Sequence, residues 1–249
     1  MESQPVDRNV FALLYSLSIL YPVFAFTTQA LQALGSQTLV PFLTSGDTIL
    51  LFLVRLAGYA VLVYIGLYLG KAVGLGAPLL EGWARGEPVR DRAMAALKLS
   101  VVLGLGVAVL KYLLDRLVFS PFVPATVSWG GLDPFLSRLA IPFQQGIGDE
   151  ISYRLFWMTV IVWILWRIQR SGDAPRRDWM YWTGILLAGL ISFLGPVIGM
   201  ASALVRVQYA VIILSGAIPF GWLYWKRGIE PALVAHFVSS LALVLLTFG

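Results

Sequence analysis

The sequence predicts an all-α polytopic membrane protein, a helix bundle of seven transmembrane helices with an eighth allowed. Three observations carry this expectation. The 249 residues are 59% hydrophobic, and their mean hydropathy is +0.81. Only 12% are charged, against about 25% in a soluble domain. Finally, the apolar residues gather in stretches of about 20, the length a helix needs to cross a bilayer.

Seven stretches qualify in order: Val10 to Leu31, Ile49 to Val73, Ala93 to Phe119, Leu136 to Arg167, Trp179 to Met200, Leu204 to Trp225 and Ile229 to Phe248. The basic residues between them alternate. The first connector, Gly35 to Ser45, has none, whereas Lys71, Arg85, Arg90, Arg92 and Lys98 lie in and around the second. The third holds Arg138 beyond the helix-end Arg116, and the fourth holds Arg167, Arg170, Arg176 and Arg177. Arg206 follows the tiny fifth connector, and Lys226 and Arg227 mark the sixth. Cytoplasmic connectors collect Lys and Arg, so the N-terminus and the even-numbered connectors are expected inside. Only Arg206 runs against the pattern. The expected location is the cell (plasma) membrane, multi-pass, with membrane lipid as a constant partner. The eighth segment, re-entrant or short, would lie in Thr38 to Phe42 or in Phe122 to Trp129.

The start, Met1 to Asn9, lacks the basic n-region of a signal peptide, so the first apolar stretch is expected to stay. No internal repeat or linker divides the chain, and residues 1–249 are read as a single integral-membrane domain. Cysteine is absent, which excludes disulfides, thiolate catalysis and thiolate-held metals. The net charge of +5 is accounted for by orientation in the membrane, so no nucleic-acid partner is expected.

The fourth stretch is the exception to this apolar pattern. It contains Gly148-Asp149-Glu150-Ile151-Ser152-Tyr153-Arg154, three charges at membrane depth. Each costs roughly 2.5–3.5 kcal/mol on insertion scales, so partners and a purpose are expected. Pro142, Gly146 and Gly148 suggest a broken or tilted start, and irregular backbone at that depth must line a protein-enclosed or watery cavity. On a helix, residues i and i+4 share a face, which sets Glu150 over Arg154 as a buried ion pair. Asp149 then points elsewhere, with Gln145, Ser152 and Tyr153, and is left free to pass a proton to or from water. The plainer alternative is a polar packing network without chemistry. The lone histidine, His236, lies on the last stretch in register with Ser240, after Glu230 and Pro231, which mark a helix start. By itself it reads more readily as a packing residue than as a catalyst.

Taken together, Asp149-Glu150-x-x-x-Arg154, the run Gly221 to Gly228 and the His236 helix resemble the CPBP family of intramembrane proteases. That group contains the CAAX prenyl endopeptidases and bacteriocin-processing homologues. The resemblance covers residues 136–249, with its motifs from Gly146 onward. It implies an endopeptidase acting on a prenylated or membrane-embedded peptide, with Asp149, Glu150 and His236 catalytic and Arg154, Ser240 and Tyr153 in support. Three positions depart from the family pattern. Asp149 replaces the first Glu and sets its carboxylate back by about 1–1.5 Å, a displacement that can matter in a preorganised site. Val197 stands where the second motif has a histidine, and Ser240 where the last has an asparagine. A catalytic zinc wants three protein ligands, and one histidine without cysteine argues against a metal, so no cofactor is expected. Asp149 and His236 are expected to approach each other and line one polar cavity with Ser240 and Tyr153. Two alternatives stay open: a catalytically impaired relative that binds or scaffolds, and a transporter, for which Arg55, Lys111 and Asp115 give slight support. Lys111 and Asp115, at i,i+4, read most simply as a pair that neutralises itself.

Because the chain has no cysteine, single cysteines introduced at Ser45 and Ser171 report topology cleanly. They should label from opposite sides of the membrane; labelling from one side overturns the charge alternation.

Overall fold

The computed structural model describes residues 6–35, 38–122, 140–169, 177–198, 200 and 202–247, and every regular element among them is helical. Seven helices are long and apolar enough to span: Arg8–Ala30, Gly46–Val73, Arg90–Phe119, Ala140–Ile168, Asp178–Val197, Ala203–Arg227 and Ile229–Leu246. The chain is an all-α polytopic bundle. The eighth segment allowed near Thr38 is a helix of 6 residues, Leu39–Thr44. At 1.5 Å per residue it is about 9 Å long and cannot cross. Most of the other candidate, Phe122 to Trp129, falls outside the described residues. Large apolar side chains also face outward, Val102 at 70% and Ile168 at 77% exposure, as a hydrocarbon surrounding permits.

Local chemistry sets the helix ends. Asp7 opens the first span by accepting from the amides of Asn9 (2.8 Å) and Val10 (3.2 Å). Ser45 does the same for the second through Thr48 N, and Gly74, at φ 72°, closes it in the left-handed conformation that glycine adopts without penalty. The first span is interrupted at Ile19, just before Pro22, which has no N–H for the carbonyl four residues earlier. The fourth span is continuous from Ala140 rather than broken. Its irregularity takes another form: Gln144–Met158 is wound as a π-helix, a wider i→i+5 coil that is rare and recurs at functional sites.

Glycines decide how closely the spans approach. The seventh span packs most extensively on the third, where a Cβ at Gly104 would run into the Ala235 carbonyl. On its other side a Cβ at Gly146 would lie 2.7 Å from Phe237 Cα. The seventh span is therefore clamped backbone to backbone between the third and the fourth. Ser100 Oγ adds a hydrogen bond to Pro231 O at 2.8 Å. The start of the seventh span is tied down as well. Ile229 N donates to Gly76 O at 3.0 Å, and Glu230 Oε1 accepts from the amides of Leu79 and Leu80, both at 2.9 Å. The acid expected to serve its own helix thus also caps the short helix Pro78–Ala84. A cavity of about 1550 Å³ lies at this end, walled by Lys71, Arg92, Trp163, Trp166, Trp225 and Arg227 among others. The ends that the charge alternation assigns to one side are gathered around it.

Gly104 and Gly106 share one helix, but a Cβ at Gly106 meets nothing within 4 Å. Gly104→Ala should lower stability by about 1–3 kcal/mol through overpacking. Gly106→Ala should be neutral or stabilising by about 0.5–1 kcal/mol. Thermal unfolding in detergent separates the two, and equal effects would contradict the clamp.

Candidate active site

The π-helical stretch brings its polar residues to two different faces of the fourth span. On the first, Glu150 is fully buried and meets His236, itself buried on the seventh span. The imidazole Nδ1 stands 2.8 Å from Glu150 Oε1, and Arg154 Nε faces the same oxygen at 3.5 Å. An ionised carboxylate only accepts, so Nδ1–H donates and Nε2 remains the basic nitrogen of the ring. Phe220 from the sixth span stacks on the imidazole, with centroids 4.8 Å apart and planes 26° apart, which fixes the ring's tilt. One helical turn on, Ser240 Oγ donates to Gln145 Oε1 at 3.4 Å. The other carboxylate oxygen of Glu150, Oε2, is buried without a hydrogen-bond partner among the described residues.

Asp149 occupies the second face. Tyr21, Tyr59, Tyr153 and Tyr209 lie within its electrostatic reach, as do the cations Arg154 and Lys111. The Tyr21 ring closes over Gly148, where any side chain would collide with it. Tyr59 Oη donates to Gly148 O at 3.4 Å and stands 3.3 Å from Ser152 Oγ. The backbone next to Asp149 is thus covered by Tyr21 and Tyr59.

The arrangement revises two sequence expectations. The Glu150–Arg154 pair is present, but the carboxylate that reaches His236 is that of Glu150, not Asp149. The expectation followed the family resemblance, which put Asp149 at the first acidic position; the packing of the fourth span on the seventh instead turns Glu150 toward His236. The second revision concerns Lys111 and Asp115, which form no ion pair among the described residues. The helix turns π-helical at Leu114–Phe119, which alters the i,i+4 register, and Asp115 Oδ1 accepts from Gln208 Nε2 at 2.8 Å. Sequence reasoning did not find Tyr21, Tyr59, Tyr209 or Phe220, since aromatic residues in spans carry no pattern that separates a site from packing. Val197, at the end of the fifth span, adds no titratable group.

Among the described residues no group of three or more His, Asp and Glu side chains is gathered as a metal would require. The donors in contact are one carboxylate and one imidazole, fewer than the three that a catalytic zinc needs. The site's own residues do not fit a zinc.

Residues 131–242 match the family model described as Type II CAAX prenyl endopeptidase Rce1-like. The match covers 112 of the 249 residues, and over this stretch the chain is similar to that endopeptidase family. Comparison with curated proteins gives no match, and comparison with solved structures gives none. The matched stretch includes Asp149, Glu150, Tyr153, Arg154, His236 and Ser240. Tyr21, Tyr59 and Lys111 precede it and reach the centre only through folding.

Because Glu150 and Arg154 are both buried, removing one partner strands the other. Glu150→Gln should destabilise by about 3–5 kcal/mol, and the double variant with Arg154→Met should recover much of that. Thermal unfolding of the purified protein checks it. A single variant as stable as the double one shows that the pair is not structural.

Proposed function

We propose that this chain is an intramembrane endopeptidase that hydrolyses a peptide bond in a prenylated or membrane-embedded substrate. The observation that supports this best is the 2.8 Å contact between Glu150 and His236, which joins the first and last motifs of the matched family. The carboxylate holds the Nδ1–H tautomer and raises the basicity of Nε2, the role that such a partner plays for many functional histidines. In this reading Nε2 takes a proton from water as the water oxygen adds to the scissile carbonyl carbon. The carbonyl π pair moves onto its oxygen. When that pair returns, the C–N bond breaks and the imidazolium gives its proton to the leaving nitrogen. Arg154 fixes the carboxylate. Asp149, at the family's first acidic position, is the second base available to water, and Tyr153 and Ser240 supply hydroxyls on either side.

A second reading is favoured by Val197, Asp149 and Ser240, all of which depart from the family pattern. In it, the same scaffold binds a membrane-associated partner without cleaving it. The two readings separate on cleavage of a fluorogenic prenylated peptide by the protein in lipid. The protease reading expects slow cleavage, reduced about 10²–10⁴-fold by His236→Ala or Glu150→Gln, the scale of a general acid or base. It also expects a gain when Asp149→Glu and Val197→His are introduced together. No gain, with a wild type indifferent to Asp149→Ala and His236→Ala, leaves the binding reading.

A further inference from the structure

The cavity of about 1550 Å³ beside the start of the seventh span is walled by more cations than acids. Lys71, Arg85, Arg92, Arg167, Lys226 and Arg227 border it, against Asp7, Glu81 and Asp91. The cations arrive from the ends of four spans, the second, third, fourth and sixth, and from the second connector. Arg85 and Arg92 share a single carboxylate, Glu87, at 2.7 and 2.9 Å, so one charge of the two stays unneutralised. Arg167, Lys226 and Arg227 are exposed and form no ion pair among the described residues. Two of them rest on indole faces instead. Arg167 Cζ lies 5.5 Å from the Trp163 ring centroid, and Lys226 Nζ lies 3.4 Å from that of Trp225. An aromatic face steadies a cation without cancelling its charge, and N–H donors remain for a further partner. Trp225 is itself stacked on Tyr181, with centroids 4.7 Å apart and planes 8° apart. The Tyr181 hydroxyl donates to Val73 O at 2.6 Å, which ties the wall beneath Lys226 to the end of the second span.

Basic residues scattered over cytoplasmic helix ends need do no more than set orientation. Here they converge on one concavity, and unneutralised cations around a hollow suit an anion. The surroundings point to a lipid as its source. Tyr68 belongs both to the cavity wall and to the lipid-facing side of the second span, where it is 41% exposed. Ile168, next to Arg167, also faces outward. The cavity thus meets the lipid surface, and acyl chains find apolar side chains beside it. Trp163, Trp166 and Trp225 line it, and indoles gather at headgroup level in a membrane. Its volume exceeds the roughly 300–1,000 Å³ of a pocket for a drug-sized molecule. The charge alternation assigns this end to the cytoplasm, whose leaflet carries anionic lipid, and basic pockets between spans on that side suit such headgroups. We propose that this cavity binds the phosphate-bearing headgroup of an anionic phospholipid of the cytoplasmic leaflet, with Arg167, Lys226 and Arg227 as its principal donors. Asp149, Glu150, Arg154 and His236 do not line it, so the proposal is independent of the protease reading.

The test titrates delipidated protein in detergent with dioctanoyl phosphatidylglycerol and with dioctanoyl phosphatidylcholine, and native mass spectrometry counts the bound lipid. Phosphatidylglycerol should bind about tenfold tighter or more. The triple variant Arg167→Gln, Lys226→Gln, Arg227→Gln should weaken it about 10²-fold, about fivefold for each cation near the headgroups. Arg8→Gln, Arg90→Gln and Lys98→Gln remove the same charge from the same end of the bundle but outside the cavity wall, and should leave the affinity essentially unchanged. Equal losses from the two triples, or equal binding of the two lipids, overturn the proposal. Inorganic phosphate in large excess should not displace the lipid; if it does, the site takes a free anion and the lipid source is overturned. Displacement by a short peptide with a free C-terminal carboxylate assigns the cavity to a peptide end and overturns it likewise. Should the cavity triple fail to fold, the wild type can be photo-crosslinked with phosphatidylglycerol bearing an azide on its headgroup. Adducts gathered at 163–167 and 225–228 support the site, and adducts found only elsewhere on the bundle overturn it.

Discussion

The buried carboxylate of Glu150 is the constraint on which the rest of the centre depends. In a medium without water, a negative charge persists only if its partners come from the protein. Glu150 draws them from two places, Arg154 on its own helix and His236 on the seventh span. The first contact is local and any helix could make it. The second requires two spans to lie close enough for a short side chain to meet an imidazole. That closeness comes from Gly146, which has no Cβ to hold Phe237 away. The polar contact and the small-residue packing are therefore one device: glycine sets the distance, and the carboxylate uses it.

The seventh span is held from several directions in a way that suits a helix carrying the histidine. Gly104 lets the third span touch it near Ala235, and Ser100 bonds to the Pro231 carbonyl. Glu230 and Ile229 anchor its start to the second connector. Phe220 then fixes the imidazole's orientation. Each contact is modest, of the order of 1 kcal/mol for an ordinary hydrogen bond. Together they leave the ring with one position. Preorganisation of this kind is what makes an acid–base pair effective, because the site need not rearrange when charge develops.

Adjacent residues on a helix point in different directions, which separates the two carboxylates by environment. Glu150 is committed to Arg154 and His236, while Asp149 makes neither contact. Adjacent acids that shared one environment would repel each other at short range in a medium that screens little. The stretch that looked from sequence like a break at Pro142, Gly146 and Gly148 is a widened but continuous coil over the described residues.

Much of this was legible in the residues themselves. Seven apolar stretches of spanning length determined the fold class, because a bilayer demands a minimum length and internal hydrogen bonding. The alternation of basic residues grouped the connectors, and the spacing of Glu150 and Arg154 sufficed for their pairing, a contact within one helix turn. Asp149, Glu150 and Arg154 were recognisable because charge inside a span is costly enough to be rare, whereas His236 stood out only through the family resemblance. Tertiary structure alone decided which carboxylate meets the histidine, since that depends on how the fourth and seventh spans pack at Gly146 and Phe237. It also decided the fate of Lys111, whose apparent partner four residues on was turned away by a second π-helical turn. Tyr21, Tyr59 and Phe220 could not have been read from sequence either. An aromatic ring in a span is ordinary, and only packing across helices shows which ones close over a site.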